Sequence, residues 1–232
     1  MLHLQQFTFN PFEERCSLAW DDAGKCAVID PGAASESEIR QLKECIAEKK
    51  LEPVAVLLTH GHFDHIFGLM ECVRSYRIPV YMHPADQGTL EANDALCRQF
   101  GLDAPEKPVE TTDAVEGQTI RIGELEFEVI GTPGHTPGGI CYYERKEKVL
   151  FCGDTLFAGA IGRSDFPGGN YDDLMESILL KLMRLDGDVQ VFPGHGPATD
   201  IATERTTNPF LFPFNEPYQD PDEDIEEKVE EK

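Results

Sequence analysis

A layered α/β fold is the class this sequence predicts, and three observations carry it. Short β-type runs come in groups, helical stretches stand between them, and the most apolar runs are continuous, as strands buried on both faces should be. Leu2 to Phe9, Cys16 to Trp20 and Cys26 to Ile29 are the first strand candidates, ended by the chain-breaking Asp30-Pro31-Gly32. A helix follows over Ser35 to Lys49, where Ser35 and Glu38 have the spacing of a capping box. Val54 to Leu58 is a buried-strand run, Ile66 to about Tyr76 is helical, Ile78 to Met82 is a strand, and Ala85 to Phe100 is helical again.

From Thr119 the pattern turns to β, with strands at Ile120 to Ile122, Leu125 to Ile130, Gly139 to Tyr143 and Val149 to Cys152. Leu174, Ile178, Leu182 and Leu185 give Tyr171 to Leu185 helical spacing, and Val189 to Phe192 is the last buried strand. No internal repeat and no Gly/Ser linker interrupts the chain. One domain over 1–212 is expected, followed by an acidic tail over 213–232.

Composition narrows the function. The formal net charge of -23 disfavours nucleic acid, whose phosphates call for a basic face. Part of that charge is local: Glu216 to Lys232 holds nine acidic and two basic residues, the composition of a solvated run. No apolar run reaches the roughly 18 residues of a membrane helix, and Met1 to Asn10 lacks the form of a signal peptide. Seven cysteines (16, 26, 45, 72, 97, 141, 152) show no close C-x-x-C pair, and most stand in apolar contexts. Buried thiols in a reducing compartment, and hence a cytoplasmic protein, are expected. The partner expected is a small-molecule substrate, with no nucleic acid and no membrane. Oligomeric state is left open.

The chemistry is concentrated after the buried strands. Thr59-His60-Gly61-His62-Phe63-Asp64-His65 places four potential metal ligands within six residues. His135 follows in Thr132-Pro133-Gly134-His135, Asp154 in Cys152-Gly153-Asp154-Thr155, and His195 in Phe192-Pro193-Gly194-His195. Each of these three sits in a Gly- or Pro-flanked turn that can fix a side chain at the end of a strand. Imidazole and carboxylate suit a divalent ion such as zinc, with iron or manganese as alternatives. His60 and His62, two apart in an extended loop, can reach one ion, while Asp64 and His65 favour a second. Seven ligands exceed one tetrahedral site and fit two ions that share a carboxylate. His3 and His83 lack such a setting and are left out. A structural metal module is disfavoured, because structural zinc needs four ligands.

The T-H-G-H-F-D-H run, with His135, Asp154 and His195, resembles the metallo-β-lactamase-fold hydrolases, and the resemblance spans residues 54 to 196. It implies a four-layer αββα sandwich with the site at one edge. It also implies that His60, His62 and His135 bind the first metal, that Asp64, His65 and His195 bind the second, and that Asp154 bridges. β-Lactamases of the best-known subclass carry cysteine at the Asp154 position, so an antibiotic-degrading role is not implied. Gly153 to Phe157, Ile161 to Gly169, Phe192 to Pro197, Glu204-Arg205 and Asn208-Pro209-Phe210 resemble the glyoxalase II-like branch in its short, single-domain form.

That resemblance implies cleavage of a thioester of the S-lactoylglutathione type by a hydroxide bridging the two metals. Asp64 would orient the nucleophile, and Arg163 would bind a substrate carboxylate unless it pairs with Asp165 instead. Two departures stand out. Where the full-length glutathione-thioester hydrolases carry a basic C-terminal helical domain this sequence reads Asn208-Pro209-Phe210 and an acidic run, and where they have a Lys-Phe-Tyr segment it reads Arg163-Ser164-Asp165-Phe166. The latter also resembles persulfide dioxygenases, which makes a mononuclear iron centre on His60, His135 and Asp154 the alternative function. Lactone or phosphodiester hydrolysis is a third.

Overall fold

The computed structural model describes residues 1–108 and 110–215. In chain order, the first sheet comprises β1 (His3–Gln6), β2 (Ser17–Trp20), β3 (Lys25–Ile29), β4 (Glu52–Leu57), β5 (Val80–Met82) and β6 (Thr112–Asp113). The first three pair antiparallel, and β3 through β6 run parallel. Parallel neighbours need crossovers. These are α1 (Glu36–Glu48), α2 (Leu69–Tyr76) and α3 (Gln87–Phe100).

The second half supplies β7 (Thr119–Ile122), β8 (Leu125–Gly131), β9 (Ile140–Glu144) and β10 (Val149–Gly153), then a small hairpin of β11 (Leu156–Phe157) and β12 (Ala160–Ile161). After α4 (Tyr171–Leu180) come β13 (Gln190–Pro193), β14 (Thr199–Asp200), α5 (Ile201–Thr207) and α6 (Phe212–Asn215). This sheet has the order β14-β13-β10-β9-β8-β7, with β10 and β13 parallel across α4.

Three buried clusters show how the layers stack. Alternate residues of each central strand face opposite ways. In β3, Ala27 and Ile29 join Ile140, Tyr142 and Phe151 of the second sheet in a core between the sheets. Cys26 and Val28 face the other way and pack with Leu42 and Ile46 of α1. In the second sheet Cys141, Tyr143, Leu150 and Cys152 face outward onto Leu174 and Ile178 of α4. Helices, sheet, sheet, helices: this is the expected αββα sandwich. It explains why the central strands read as unbroken apolar runs, since each is covered on both sides.

The α1 capping box forms as expected, with the Ser35 side chain accepting from Glu38 N and the Glu38 side chain accepting from Ser35 N. Other boundaries move. The helix expected from Ile66 starts at Leu69, because Phe63–His65 is a separate 3-10 turn. The helix expected to reach Leu185 ends at Leu180 and continues as a 3-10 turn, Leu182–Arg184. The two-residue strands β6, β11, β12 and β14 were too short to register as periodicity. The expected boundary of the acidic tail falls inside α6, and residues 216–232 of that tail lie outside the described residues. Among the described residues, six cysteines are buried and Cys45 is half-buried, all as free thiols. No described helix is long and apolar enough to cross a membrane.

Candidate metal centre

The C-terminal ends of β4, β8, β10 and β13 converge on one edge of the sandwich, and each ends in one of the four turns singled out above. Their side chains meet. His60, His62 and His135 offer ligand atoms all within 4.8 Å of one another, and so do Asp64, His65 and His195. Asp154 lies between the groups: its Oδ2 is 3.6 Å from His135 Nε2 and 3.6 Å from His195 Nε2, and its Oδ1 is 3.4 Å from His65 Nε2. The seven predicted residues are thus brought together. His3 pairs with Asp22 at the surface and His83 accepts from Ala85 N, so both stand apart from the cluster.

Which nitrogen faces inward is decided by the other one. Nδ1–H of His65 donates to Asp30 Oδ2 (3.1 Å), that of His135 to the Arg163 carbonyl (2.6 Å) and that of His195 to the Phe12 carbonyl (2.9 Å). His60 Nδ1 meets Thr59 Oγ1 at 3.1 Å, and that hydroxyl itself donates to Asp30 Oδ2. With Nδ1 occupied, the Nε2 atoms of these four histidines point into the cluster, that of His135 meeting His62 Nδ1 at 2.9 Å, the outer-shell arrangement of metal-ligating histidines. His60 Nε2, His65 Nε2 and Asp154 Oδ1 are buried and have no hydrogen-bond partner. Buried polar atoms are almost always satisfied. Three orphans aimed into one space fit a bound cation.

The charges agree with that reading. Burial, then the positive potential of neighbouring imidazoles, holds His60 well below the usual histidine range, and burial beside His135 takes His62 down to about 3. Burial opposes the charged form of His65, but Asp154 and Asp64 outweigh it and raise its pKa well above normal. Burial also opposes ionisation of Asp154, yet His65, His195 and His135 hold its carboxyl well below the usual carboxylate range. Asp64 is likewise lowered: burial works against its charge, and His65 and a hydrogen bond from His195 overcome it. Metal-free, the Asp64 and Asp154 carboxylates raise the proton affinity of His65 and His195, and a cation can take the place of such protons.

Two glycines let the turns approach this closely. Gly153 has φ +49, and a Cβ there would strike the Thr59 hydroxyl. A Cβ at Gly194 would collide with Asp154 Oδ1 and come within 2.6 Å of His65 Cε1.

Some supporting residues were not singled out in the sequence. Asp30 closes β3 as the ligands close their own strands, and its carboxylate binds Thr59 N (2.8 Å), Thr59 Oγ1 (2.6 Å) and His65. It also lies near His60 and His65 as a third ligand-like group, but its oxygens are already engaged. Its place before Pro31-Gly32 was the signal that could have found it. Asp86, fully buried before α3, accepts from Gly61 N (2.7 Å) and Thr136 Oγ1 (3.0 Å) on Oδ2, and from Gly138 N (2.7 Å) on Oδ1. It therefore joins the His60–His62 loop of one sheet to the His135 turn of the other. Nothing local in Pro84-Ala85-Asp86 announces that role. Glu14 is buried with both carboxylate oxygens unpartnered, and burial pushes its pKa well up.

The cluster floors an open cavity of about 400 Å³. Arg163 lines it, but its Nε and Nη2 donate to Asp165 at 2.9 and 2.8 Å, and its guanidinium lies 4.2 Å over the Phe166 ring. The pairing weighed against carboxylate binding is thus present. Tyr142 and Tyr143, neighbours on β9, are both buried. Tyr142 lies between the sheets, donating to Leu58 O at 2.9 Å, and Tyr143 lies under α4.

Comparison with known proteins agrees with this geometry. The family model described as the metallo-beta-lactamase superfamily matches residues 10–195. Hydroxyacylglutathione hydrolase GloC of Haemophilus influenzae is 36% identical over 214 residues, 90% of this chain and 98% of that protein. The crystal structure of the BLEG-1 B3 metallo-beta-lactamase superposes with a TM-score of 0.83 at 35% identity, covering 90% of this chain and 99% of the other. TTHA1623 in a di-iron-bound form gives a TM-score of 0.80 at 37% identity, over 89% and 100% of the two chains. A cavity floored by clustered histidines and aspartates, on this sandwich and with these relatives, makes the chain a metal-dependent hydrolase that belongs to the metallo-beta-lactamase superfamily.

Proposed function

We propose that the protein hydrolyses a thioester of the S-lactoylglutathione type. The observation that carries this reading is the double ligand cluster around Asp154, open to a cavity wide enough for an acyl carbonyl. The likeness to GloC supports the choice of thioester. In this reading His60, His62 and His135 hold one divalent cation, Asp64, His65 and His195 hold another, and Asp154 is shared. Zinc suits such nitrogen and oxygen ligands, and iron is the second candidate, given a relative solved with two irons. Bound cations there would supply water acidified towards a pKa of roughly 7 and a Lewis acid for the carbonyl oxygen.

The chain's own groups do the rest. Asp64, ionised and lining the cavity, accepts a hydrogen bond from the attacking water and orients it. A C–O bond forms at the acyl carbon, the C–S bond breaks, and the products are a carboxylic acid and a thiol. The sulfur leaves as a thiolate, so the step asks for no strong general acid. Arg163 lies at the mouth, placed to meet a charged end of the substrate if that end can compete with Asp165.

Metal content and a thioester assay, run with and without oxygen, test the reading. About two metals per chain and cleavage independent of oxygen are expected. One iron per chain with oxygen uptake on a persulfide would replace it with the dioxygenase centred on His60, His135 and Asp154. A β-lactam, a lactone and a phosphodiester belong in the same panel, the first because of the likeness to BLEG-1. Faster turnover of any of these would displace the thioester.

A further inference from the structure

The cavity forks above the ligand cluster, and its two limbs differ in chemistry. One limb is walled by Phe12, Phe63 and Phe100, with Phe157 beside them. The first three rings come from the β1–β2 connection, the ligand loop and the end of α3, yet they pack on one another. Centroids lie 5.1 Å apart for Phe12 and Phe63, 5.5 Å for Phe12 and Phe100, and 5.8 Å for Phe63 and Phe100. Phe100 nonetheless stays 49% exposed, an aromatic face with its own cluster behind it and open space in front. Such a face gains from being covered by another apolar group.

The other limb shares His62, Leu96, Arg163 and Phe166 with the first and continues along Thr89, Asn93, Gln99 and Asp165. It is the more polar of the two, and an unanswered acceptor lies buried in its wall. Asn93 is fully buried, its Nδ2 donates to Gly61 O at 2.9 Å, and its Oδ1 has no partner. Among the described residues lining the two limbs, Arg163 is the only lysine or arginine, and it stands against Asp165. Opposite charges side by side, near a free amide acceptor, complement a carrier with its own charged and N–H groups.

A thioester has two substituents on the reacting carbon. The thiol half of a biological thioester carries the polar and charged groups, and the acyl half is the one free to be apolar. We propose that the Phe12–Phe63–Phe100 limb is an acyl subsite, and that the preferred substrate carries an apolar acyl group of about phenyl size, with its polar thiol carrier in the Asn93–Arg163 limb. This rests on the thioesterase reading and refines it: the lactoyl methyl would leave the aromatic wall uncovered.

The test compares three thioesters on the full chain with the metal it carries on purification. These are the lactoyl thioester of glutathione, the 2-hydroxy-2-phenylacetyl thioester of glutathione, and the lactoyl thioester of phenylmethanethiol. The 2-hydroxy-2-phenylacetyl compound should exceed the lactoyl one in kcat/KM by about tenfold or more, the lower end of what apolar pockets discriminate. In Phe100→Ala that ratio should fall to within about twofold, on the same scale of apolar discrimination. A lactoyl preference, or a preference for the aromatic ring on the thiol side, would overturn the proposal. Calorimetric titration of the product acids gives a second arm. 2-Hydroxy-2-phenylacetate should bind more tightly than lactate to the wild type, and by a smaller margin to Phe100→Ala. If no thioester is cleaved the thioesterase reading fails by itself, and equal binding of the two acids would remove the aromatic subsite as well.

Discussion

Four of the five imidazoles at the cavity floor have their second nitrogen tied to a neighbouring group, whereas Phe100 and the Arg163–Asp165 pair at the rim stand largely in solvent. Floor and rim border one cavity, so the difference is one of constraint. His135 is held by the Arg163 carbonyl and His195 by the Phe12 carbonyl, so the backbone of these two residues orients the floor while their side chains line the cavity. Chemistry that needs fixed geometry is over-determined, and recognition is left adjustable. Rim side chains can change without moving a ligand, but a change in the residues behind the floor should be felt at every ligand.

The largest expected effect is at the floor itself. His62→Ala should lower thioester cleavage by about 10³-fold or more, on the scale of losing a main electrostatic stabiliser, and should leave less than the full metal complement by elemental analysis. Near-normal hydrolysis would remove His62 from the assigned role. Gly194→Ala comes next. Its methyl group has no room between Asp154 and His65, so a loss of about 1–3 kcal/mol in chemical denaturation and a drop in metal content are expected.

Asp86→Asn tests the strut between the sheets. The amide nitrogen cannot accept, so at least one of the bonds from Gly61, Thr136 and Gly138 is lost, and metal affinity in competition with a chelator should weaken by about 10–100-fold. An unchanged affinity would mean the two loops hold their places without it.

Metal-stripped protein should show a bell-shaped dependence of Tm on pH. The raised pKa values of His65 and His195 contribute stability that is complete below the ordinary histidine value of about 6.5 and is lost as pH climbs through their folded values. The depressed values of His60 and His62 act the other way, costing stability as pH falls below 6.5, and Asp154 adds to that loss below 3.8. A maximum near pH 6 to 7 is therefore expected by this linkage, and it should flatten on metal loading. A flat profile without metal would contradict the charge arrangement. Arg163→Ala, at the rim, should do least. Its partner is exposed, so KM should rise by about fivefold at most with kcat unchanged. A hundredfold rise would show instead that the guanidinium grips a substrate carboxylate and leaves Asp165 to do so.

The ligand residues were legible because their signal is local. Four candidates in six positions after Val54 to Leu58, and three more in Gly- or Pro-flanked turns, need no knowledge of distance to be noticed. The strands were legible for a similar reason, since burial on both faces writes an unbroken apolar run. By contrast, Asp86 and Asn93 look like ordinary polar residues before and within a helix, and Phe12 and Phe100 look like surface aromatics. Their meaning depends on partners 25 to 52 residues away for Asp86 and 37 to 88 away for the phenylalanines.

What the sequence determined alone was therefore the donor chemistry: which atoms can bind a cation, and that they cap buried strands. Folding decided what no window of residues contains. It selected the inward nitrogen of four of the five imidazoles by placing a carbonyl, hydroxyl or carboxylate behind the other one, and it closed three distant rings into one wall. Hydrogen bonds and ring packing act over only a few ångströms. Such contacts between residues far apart in the chain come into existence only when the two sheets are brought face to face.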